Sequence, residues 1–387
     1  MSVTAARGFL ASGVRCGMKT EGLDLALVSS TEPAVAAAMF TQNRVQAAPV
    51  VVSRRHLAEA EPRVVVVNSG CANAATGERG ELDALATAAE AARLLDLKAE
   101  QVLLCSTGVI GLRLPLDKLL PGLKEAVSAL SAAGGHDASR AILTTDTRPK
   151  EASAAGKGFA IGGMAKGAAM IHPRLATMLA IVTTDYPLEP GEPERFLRPA
   201  VERSFNRISV DGDCSTNDTV ILLANGASKL ERTSATDTEF AELLANVCHQ
   251  LAEQIVKEAE GFTVLLEVDV RGAVSEAQAA AIAARIASSP LVKTAAFGHD
   301  PNWGRVMMAA GSAPWDGGYA ELDPAKVTLA FNGTRVLVDG AHIDATPAME
   351  GPSCVIELDL GLGDGEASYL ASDLSYEYVR LNAEYTT

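Results

Sequence analysis

Aromatic side chains are scarce in this chain: 4% of residues, with 2 Trp, 6 Tyr and 9 Phe. Hydrophobic residues still make up 48%, so the expected core is aliphatic, built from Ala, Val, Leu and Ile. Metal-binding patterns are lacking. The 6 histidines are scattered, with no HExxH and no Cys/His cluster, so no metal site is expected. Cysteine is sparse: Cys16, Cys71, Cys105, Cys214, Cys248 and Cys354 form no CxxC pair. A chain of 387 residues needs no disulfide framework, and reduced thiols in a cytoplasmic protein are the expectation. Basic charge is short as well. The balance of 33 Lys and Arg against 48 Asp and Glu gives −15, which argues against a nucleic-acid partner and against an anionic membrane surface. An anionic small substrate stays open, because a pocket needs only a few local cations. No apolar run reaches the roughly 18 residues of a membrane span. Met1 to Gly8 shows no basic segment leading into an apolar one, so no leader peptide is expected. No GxGxxG follows a strand-like run, which removes the dinucleotide-binding signature.

What is present is an alternation of helix and strand signals. Val64-Val65-Val66-Val67 is a β-branched run closing on Asn68-Ser69-Gly70, and reads as a buried strand that stops at a turn. Residues 81–97 are rich in Ala and Leu, without Pro or Gly, and read as a helix. Val102 to Leu104 reads as a strand ending at Ser106-Thr107-Gly108. Leu116 to Leu120 and Leu123 to Leu130 read as two short helices separated by Pro121-Gly122. Phe240, Leu243, Leu244, Val247, Leu251 and Ile255 recur at helical spacing, with Asp237 or Thr238 as candidate cap. Ser275 to Ser288 predicts another amphipathic helix, and 264–270, 327–331 and 355–360 predict strands. The three prolines within 186–193 mark the expected linker. The length allows two modest domains or one intertwined one. The alternation predicts an α/β architecture in layers; periodicity leaves open whether the sheets are parallel.

Chemistry concentrates in residues 162–180. Gly162, Gly163, Lys166 and Gly167 lie in otherwise apolar surroundings. Glycine lets the backbone approach a ligand, and a lysine there is costly unless it meets an anion. The competing reading is a surface loop whose lysine reaches solvent. Thr177 opens the strand-like run Met178 to Asp185, an ordinary place for a threonine. Its hydroxyl is a weak nucleophile without a base. His172 has no acidic neighbour and reads as a loop histidine before Pro173. A free α-amino group on Thr177 has a pKa near ~8 and can serve as that base. Cutting the bond after the small Ala176 exposes it, and the threonine can start the cut by attacking the preceding carbonyl. Ser106-Thr107-Gly108 is either a strand-ending loop or a set of oxyanion donors.

Several further runs share their order with a known family. They are Asn68 to Gly77, Ser106 to Gly111, Thr144-Thr145-Asp146-Thr147, Phe205 to Asp213, Asp300 to Arg305 and the terminal Arg380 to Thr387. With the run around Thr177, these make most of the chain resemble the ornithine acetyltransferase family, the bifunctional glutamate N-acetyltransferases of arginine biosynthesis. The resemblance implies a layered sandwich of helices and sheets, of the self-processing type whose nucleophile is an N-terminal residue. It implies cleavage between Ala176 and Thr177 into residues 1–176 and 177–387, with two copies of each fragment in the assembly. Thr177 is then the nucleophile, and Thr107 and Gly108 form the oxyanion hole. Thr144, Lys166, Thr177, Glu260, Asn382 and Thr387 match the substrate-contact positions, Lys166 suiting a carboxylate and Glu260 an ammonium.

The implied reaction moves acetyl from N2-acetylornithine to Thr177 and then to glutamate. It needs no cofactor, and acetyl-CoA is a further candidate donor. The sequence departs from the family around Lys257-Glu258-Ala259-Glu260-Gly261-Phe262-Thr263-Val264, where Ala259 replaces a glycine, Phe262 a small residue and Val264 a basic one. Cys71 and Cys214 also stand where other residues are usual. Three other readings stay open: a self-processing amidase or aminopeptidase, a paralogue with another acceptor, and an uncleaved binding protein.

Overall fold

The computed structural model describes residues 2–171 and 178–384. Strands β1 (Phe9–Val14), β2 (Leu25–Ser30) and β3 (Val35–Phe40) precede helix α1 (Ala48–Glu59). Next come β4 (Val64–Cys71), α2 (Gly77–Leu95), β5 (Val102–Val109), α3 (Leu116–Ser128) and α4 (Gly135–Ala141). The middle holds β6 (Lys150–Ala155), β7 (Ala160–Lys166), β8 (Leu179–Thr184), α5 (Pro193–Glu202), β9 (Ile208–Ser209) and β10 (Thr219–Ala224). The rest begins with α6 (Ser234–Lys257), β11 (Leu265–Ala273), α7 (Glu276–Ala287), α8 (Pro290–Phe297) and α9 (Trp303–Ala310). It continues with β12 (Pro314–Trp315), β13 (Gly318–Tyr319), β14 (Thr328–Phe331), β15 (Thr334–Val338) and β16 (Ala341–His342). β17 (Ser353–Asp359), β18 (Gly365–Ser372) and α10 (Tyr376–Glu384) complete it.

The first two sheets run β1-β2-β4-β5 and β3-β10-β8-β7-β6. Their strands are apolar on both faces, and the two-residue period of a strand sorts those faces. Ala26, Val28, Val65, Val67 and Leu103 of one sheet meet Met164, Ile181 and Ile221 of the other. The alternate residues Leu25, Leu27, Val64, Val66 and Val102 pack on Ala84 and Ala88 of α2 and Leu119 and Leu123 of α3. On the far side, Ala180, Val182, Val220 and Leu222 pack on Leu197 of α5 and Phe240 and Leu244 of α6. The result is a helix–sheet–sheet–helix sandwich, the α/β layering expected. Both sheets are mixed: β4 pairs parallel with β5, and β8 parallel with β10, but β7 antiparallel with β8. A third sheet, β16-β15-β14-β17-β11-β18-β9, packs Val268, Val270, Ile356 and Leu358 against Ile282 and Ile286 of α7.

Three expectations change on contact with the tertiary structure, and one is refined. Asn68-Ser69-Gly70 and Ser106-Thr107-Gly108 are not turns. They continue β4 and β5, with Ser69 opposite Thr107. Pro121 does not break α3, which runs unbroken from Leu116 to Ser128. The ring removes one helical hydrogen bond, and the apolar face of α3 on the first sheet holds the helix across it. Residues 186–192 link β8 to α5 without regular structure, as expected, but the link is not loose. Tyr186 is 0% exposed and stacks on Phe240 with ring centroids 4.5 Å apart, and Phe159 and Phe196 meet Phe240 edge-on. The cap of α6 is Thr233, whose hydroxyl accepts from the Thr236 N–H, rather than Asp237 or Thr238.

Candidate functional site

The first two sheets bring three predicted residues together. Thr107 stands near the end of β5 and Lys166 at the end of β7. Thr144 lies between α4 and β6. Lys166 is 3% exposed, so it is no surface lysine. Its Nζ donates to Thr107 Oγ1 at 3.3 Å. An ammonium has only donors, so the threonine oxygen accepts here and its own O–H is free to point elsewhere. The glycines before Lys166 have a packing role rather than a ligand-contact role: a Cβ at Gly162 would sit 2.3 Å from the Ser2 carbonyl oxygen. Gly108 has φ +128°, and a Cβ there would lie 2.4 Å from the Gly70 backbone carbon. Only glycine lets β4 and β5 close this tightly beside Thr107.

Asp146 organises the cluster, and sequence reasoning gave it no role. It accepts from Lys150 Nζ at 2.6 Å, from the Gly167 N–H at 2.6 Å and from the Thr144 N–H at 3.2 Å. Lys166 Nζ stands 3.8 Å away. Burial alone would raise the Asp146 carboxyl, but Lys166 and Lys150 hold it well below the usual carboxylate range. Burial pulls the Lys166 ammonium below its ordinary value, and Asp146 opposes that pull. Two ammonium groups facing one carboxylate leave the cluster short of an anion, the condition that a substrate carboxylate would satisfy.

A ladder of amides locks this end of the sandwich. Asn217 Nδ2 donates to the carbonyls of Ala72 at 2.7 Å and Ser106 at 2.8 Å. Ser106 Oγ donates to Asn68 Oδ1 at 2.6 Å, and Asn68 Nδ2 to the Cys71 carbonyl at 2.8 Å. A small pocket of about 50 Å³ opens here, lined by Thr107, Gly108, Met170, Thr216 and Asn217. Neither Asn217 nor Asp218 was singled out from sequence. The available signal was a polar Asn-Asp-Thr run leading into the apolar run Val220 to Ala224.

Glu260 and Asn382 also meet: Asn382 Nδ2 donates to Glu260 Oε2 at 2.9 Å. The Glu260 N–H donates to the Ala168 carbonyl at 3.0 Å, which ties this pair to the segment after Lys166. Phe262, the largest departure from the family pattern, packs half-buried against the core that contains Ala259 and does not line the small pocket. Cys71 is buried, its thiol pushed up by that burial. Thr177, Ala176, His172 and Thr387 lie outside the described residues. Their borders are held firmly. Asp211 accepts from the Met170 N–H at 2.5 Å and the Ile171 N–H at 2.8 Å. Asp218 Oδ1 accepts from the Met178 N–H at 3.0 Å.

A hydroxyl that accepts from a buried ammonium keeps its own O–H free to donate, a property that α/β enzymes of acyl transfer use toward a developing oxyanion. The sequence comparisons make the same point more narrowly. The chain belongs to the ArgJ family, whose sequence profile matches residues 10–387. It is 46% identical to the arginine biosynthesis bifunctional protein ArgJ of Mycolicibacterium paratuberculosis, over 100% of this chain and 96% of that protein. It is 44% identical to the protein of the same description from Geobacter sulfurreducens, over 98% of this chain and 99% of that one. Among solved structures it is similar to the ornithine acetyltransferase of Mycobacterium tuberculosis, crystallised with ornithine. That match has 42% identity and a TM-score of 0.41, covering 44% of this chain and 94% of the other.

Proposed function

We propose that this chain is a glutamate N-acetyltransferase of arginine biosynthesis that carries its acetyl group on Thr177. The chain cuts itself between Ala176 and Thr177. The freed α-amino group takes the hydroxyl proton as Thr177 Oγ attacks the acetyl carbonyl of N2-acetylornithine. Thr107 and Gly108 receive the oxyanion, and ornithine leaves. Glutamate then attacks the acetyl ester and departs as N-acetylglutamate. Acetyl-CoA serves as a second donor in a bifunctional member. Thr144 and Lys166 take the substrate carboxylate, and Glu260 with Asn382 and Thr387 the side-chain ammonium. The work is cytoplasmic, and two copies of each fragment form the assembly. No cofactor enters this chemistry, because the protein itself carries the acyl group.

The observation that carries the reading is the buried Lys166–Thr107 contact at the strand ends that lie beside Met178. Sheet topology supports the two-fragment form. Lys166 pairs opposite Leu179, so β7 and β8 stay joined by a ladder of hydrogen bonds after a cut between them. Incubation with N2-acetylornithine, with and without glutamate, tests the transfer. Formation of N-acetylglutamate is expected, and acetate release at one rate in both would sink the transferase. Intact mass of the purified protein tests the cut: fragments 1–176 and 177–387 are expected.

A further inference from the structure

The loop between β1 and β2 brings Lys19 to the site, a lysine that none of the roles above uses. Asp24 is 0% exposed and gathers the backbone of that loop. Its Oδ1 accepts from the Cys16 N–H at 2.6 Å, and its Oδ2 from the Gly17, Met18 and Lys19 N–H groups at 3.0, 2.7 and 3.0 Å. Four amides on one buried carboxylate hold the loop in one shape. The Asp24 carbonyl accepts from the Ser69 N–H at 2.9 Å, which pins the loop to β4. The Lys19 stem runs over Gly70, where a Cβ would stand 3.0 Å from Lys19 Cγ. Gly70 pairs opposite Gly108, so Lys19 lies on the strand pair that carries Thr107.

From there Lys19 Nζ donates to the Leu143 carbonyl at 2.9 Å. The N–H of that same peptide group, which belongs to Thr144, donates to Asp146 at 3.2 Å. One peptide unit is therefore held at both ends, its oxygen by an ammonium and its N–H by a carboxylate. Each charge faces the pole of opposite sign. The peptide group is planar and includes the Thr144 Cα, so fixing the plane fixes the point from which the Thr144 side chain sets out. Thr144 lies in neither a helix nor a strand, so no ladder does this instead. We propose that Lys19 is a positioning residue of acetyl transfer, which with Asp146 clamps the Leu143–Thr144 peptide and aims Thr144 at the substrate carboxylate. This rests on the reading of Thr144 as a substrate contact.

The surroundings suit a clamp rather than a staple of the fold. Lys19 is half-buried, and the charged groups that face its ammonium are Asp24, Asp146 and Lys166. Burial pulls the ammonium below its ordinary value, Asp24 and Asp146 oppose that pull, and Lys166 adds to it. Among the described residues the ammonium makes one hydrogen bond, to the Leu143 carbonyl. Its removal leaves no buried charge alone, because Asp24 keeps its amides and Asp146 keeps Lys150.

The test is a double-mutant cycle on the full chain: wild type, Lys19→Met, Thr144→Val and the two together. The quantity read is KM for N2-acetylornithine at saturating glutamate, which does not depend on the fraction of active chains. Methionine keeps a stem over Gly70 and loses the donor, and valine keeps the shape of Thr144 and loses its hydroxyl. Each single variant is expected to raise KM by about 10-fold, the effect of one hydrogen bond to a charged group. The pair is expected to raise it no further than Thr144→Val alone, because Lys19 acts only through Thr144. Effects that multiply, to about 100-fold in the pair, would make Lys19 a substrate contact or a general support of the fold, and they overturn the proposal. A wild-type KM in Lys19→Met overturns it too. Should Lys19→Met not fold, Lys19→Gln runs the same cycle with the same outcomes. Thr144→Val separates the two layers. A wild-type KM there ends the reading of Thr144 as a substrate contact, and the clamp falls with it. A raised KM there, with multiplied effects in the pair, ends the role of Lys19 alone.

Discussion

Lys150 and Lys166 are buried between the first two sheets and the residues that flank them, whereas Lys293 is buried against the third sheet. All three carry an ammonium group out of water, but they meet different partners. Lys150 and Lys166 share Asp146, and Lys166 also reaches the Thr107 hydroxyl. Lys293 donates to the carbonyl and hydroxyl oxygens of Ser372, and burial pulls it down to about 8 despite Asp373 and Asp211. Two cations on one anion, aimed at a strand-end hydroxyl, leave work for a ligand. One cation on neutral oxygens of the neighbouring strand end ties a helix to a sheet. Burial of a lysine is therefore not the mark of a site; its surplus over its partners is.

The largest expected effect goes to the heart of the first region. Thr177→Ala is expected to lower acetyl transfer by about 10⁴-fold or more and to leave the chain whole in intact-mass measurement. If the variant still transfers acetyl, the cluster around Lys166 is not the site. Next, Asp146→Asn leaves two buried ammonium groups without their anion. A loss of roughly 3–5 kcal/mol in urea-induced unfolding is expected; an unchanged midpoint would show that the cluster does not depend on its carboxylate.

Thr107→Val keeps the shape of that side chain and removes the hydroxyl. A fall of about 10²–10³ in kcat is expected, with the unfolding midpoint nearly unmoved. A fall in stability without a fall in kcat would turn Thr107 into a staple like Lys293. The smallest effect belongs to the third sheet. Lys293 sheds its proton near 8 in the folded chain and near 10.5 in the unfolded one. Between those values the unfolded state binds more protons, so stability rises with pH, by about 3 kcal/mol across the window. Lys293→Met should flatten that rise relative to wild type when unfolding is followed from pH 8 to pH 10.5.

Much of the fold was legible. Val64 to Val67, residues 81–97 and the helical spacing from Phe240 to Ile255 became β4, α2 and α6 because each carries an apolar period that only one element satisfies. The errors came where tertiary contacts outweighed local signals. Polar Asn68, Ser69, Ser106 and Thr107 resemble turn residues, yet neighbouring backbone pairs them into strands. Pro121 is a local breaker, yet packing carries the helix through it, whereas the prolines of 186–193 do mark an irregular link between β8 and α5. Thr107, Thr144, Lys166, Glu260 and Asn382 were legible as chemistry through the resemblance of their surroundings. Asp146 went without a role and Asn217 and Asp218 unmarked, because each acts through partners far away in sequence, from Ala72 to Gly167 and Met178.

By itself, then, the sequence determined an aliphatic layered α/β protein, membership of a family and the residue types available for acyl transfer. Local period and composition suffice for these, since each is a property of neighbouring residues. The tertiary structure alone decided which polar groups are buried without enough partners. Lys166 became a cation sharing one carboxylate with Lys150, and Asp218 a carboxyl with one oxygen unpartnered among the described residues. The free energy of a buried charge depends on everything packed around it, and those neighbours come from strands far apart in the chain.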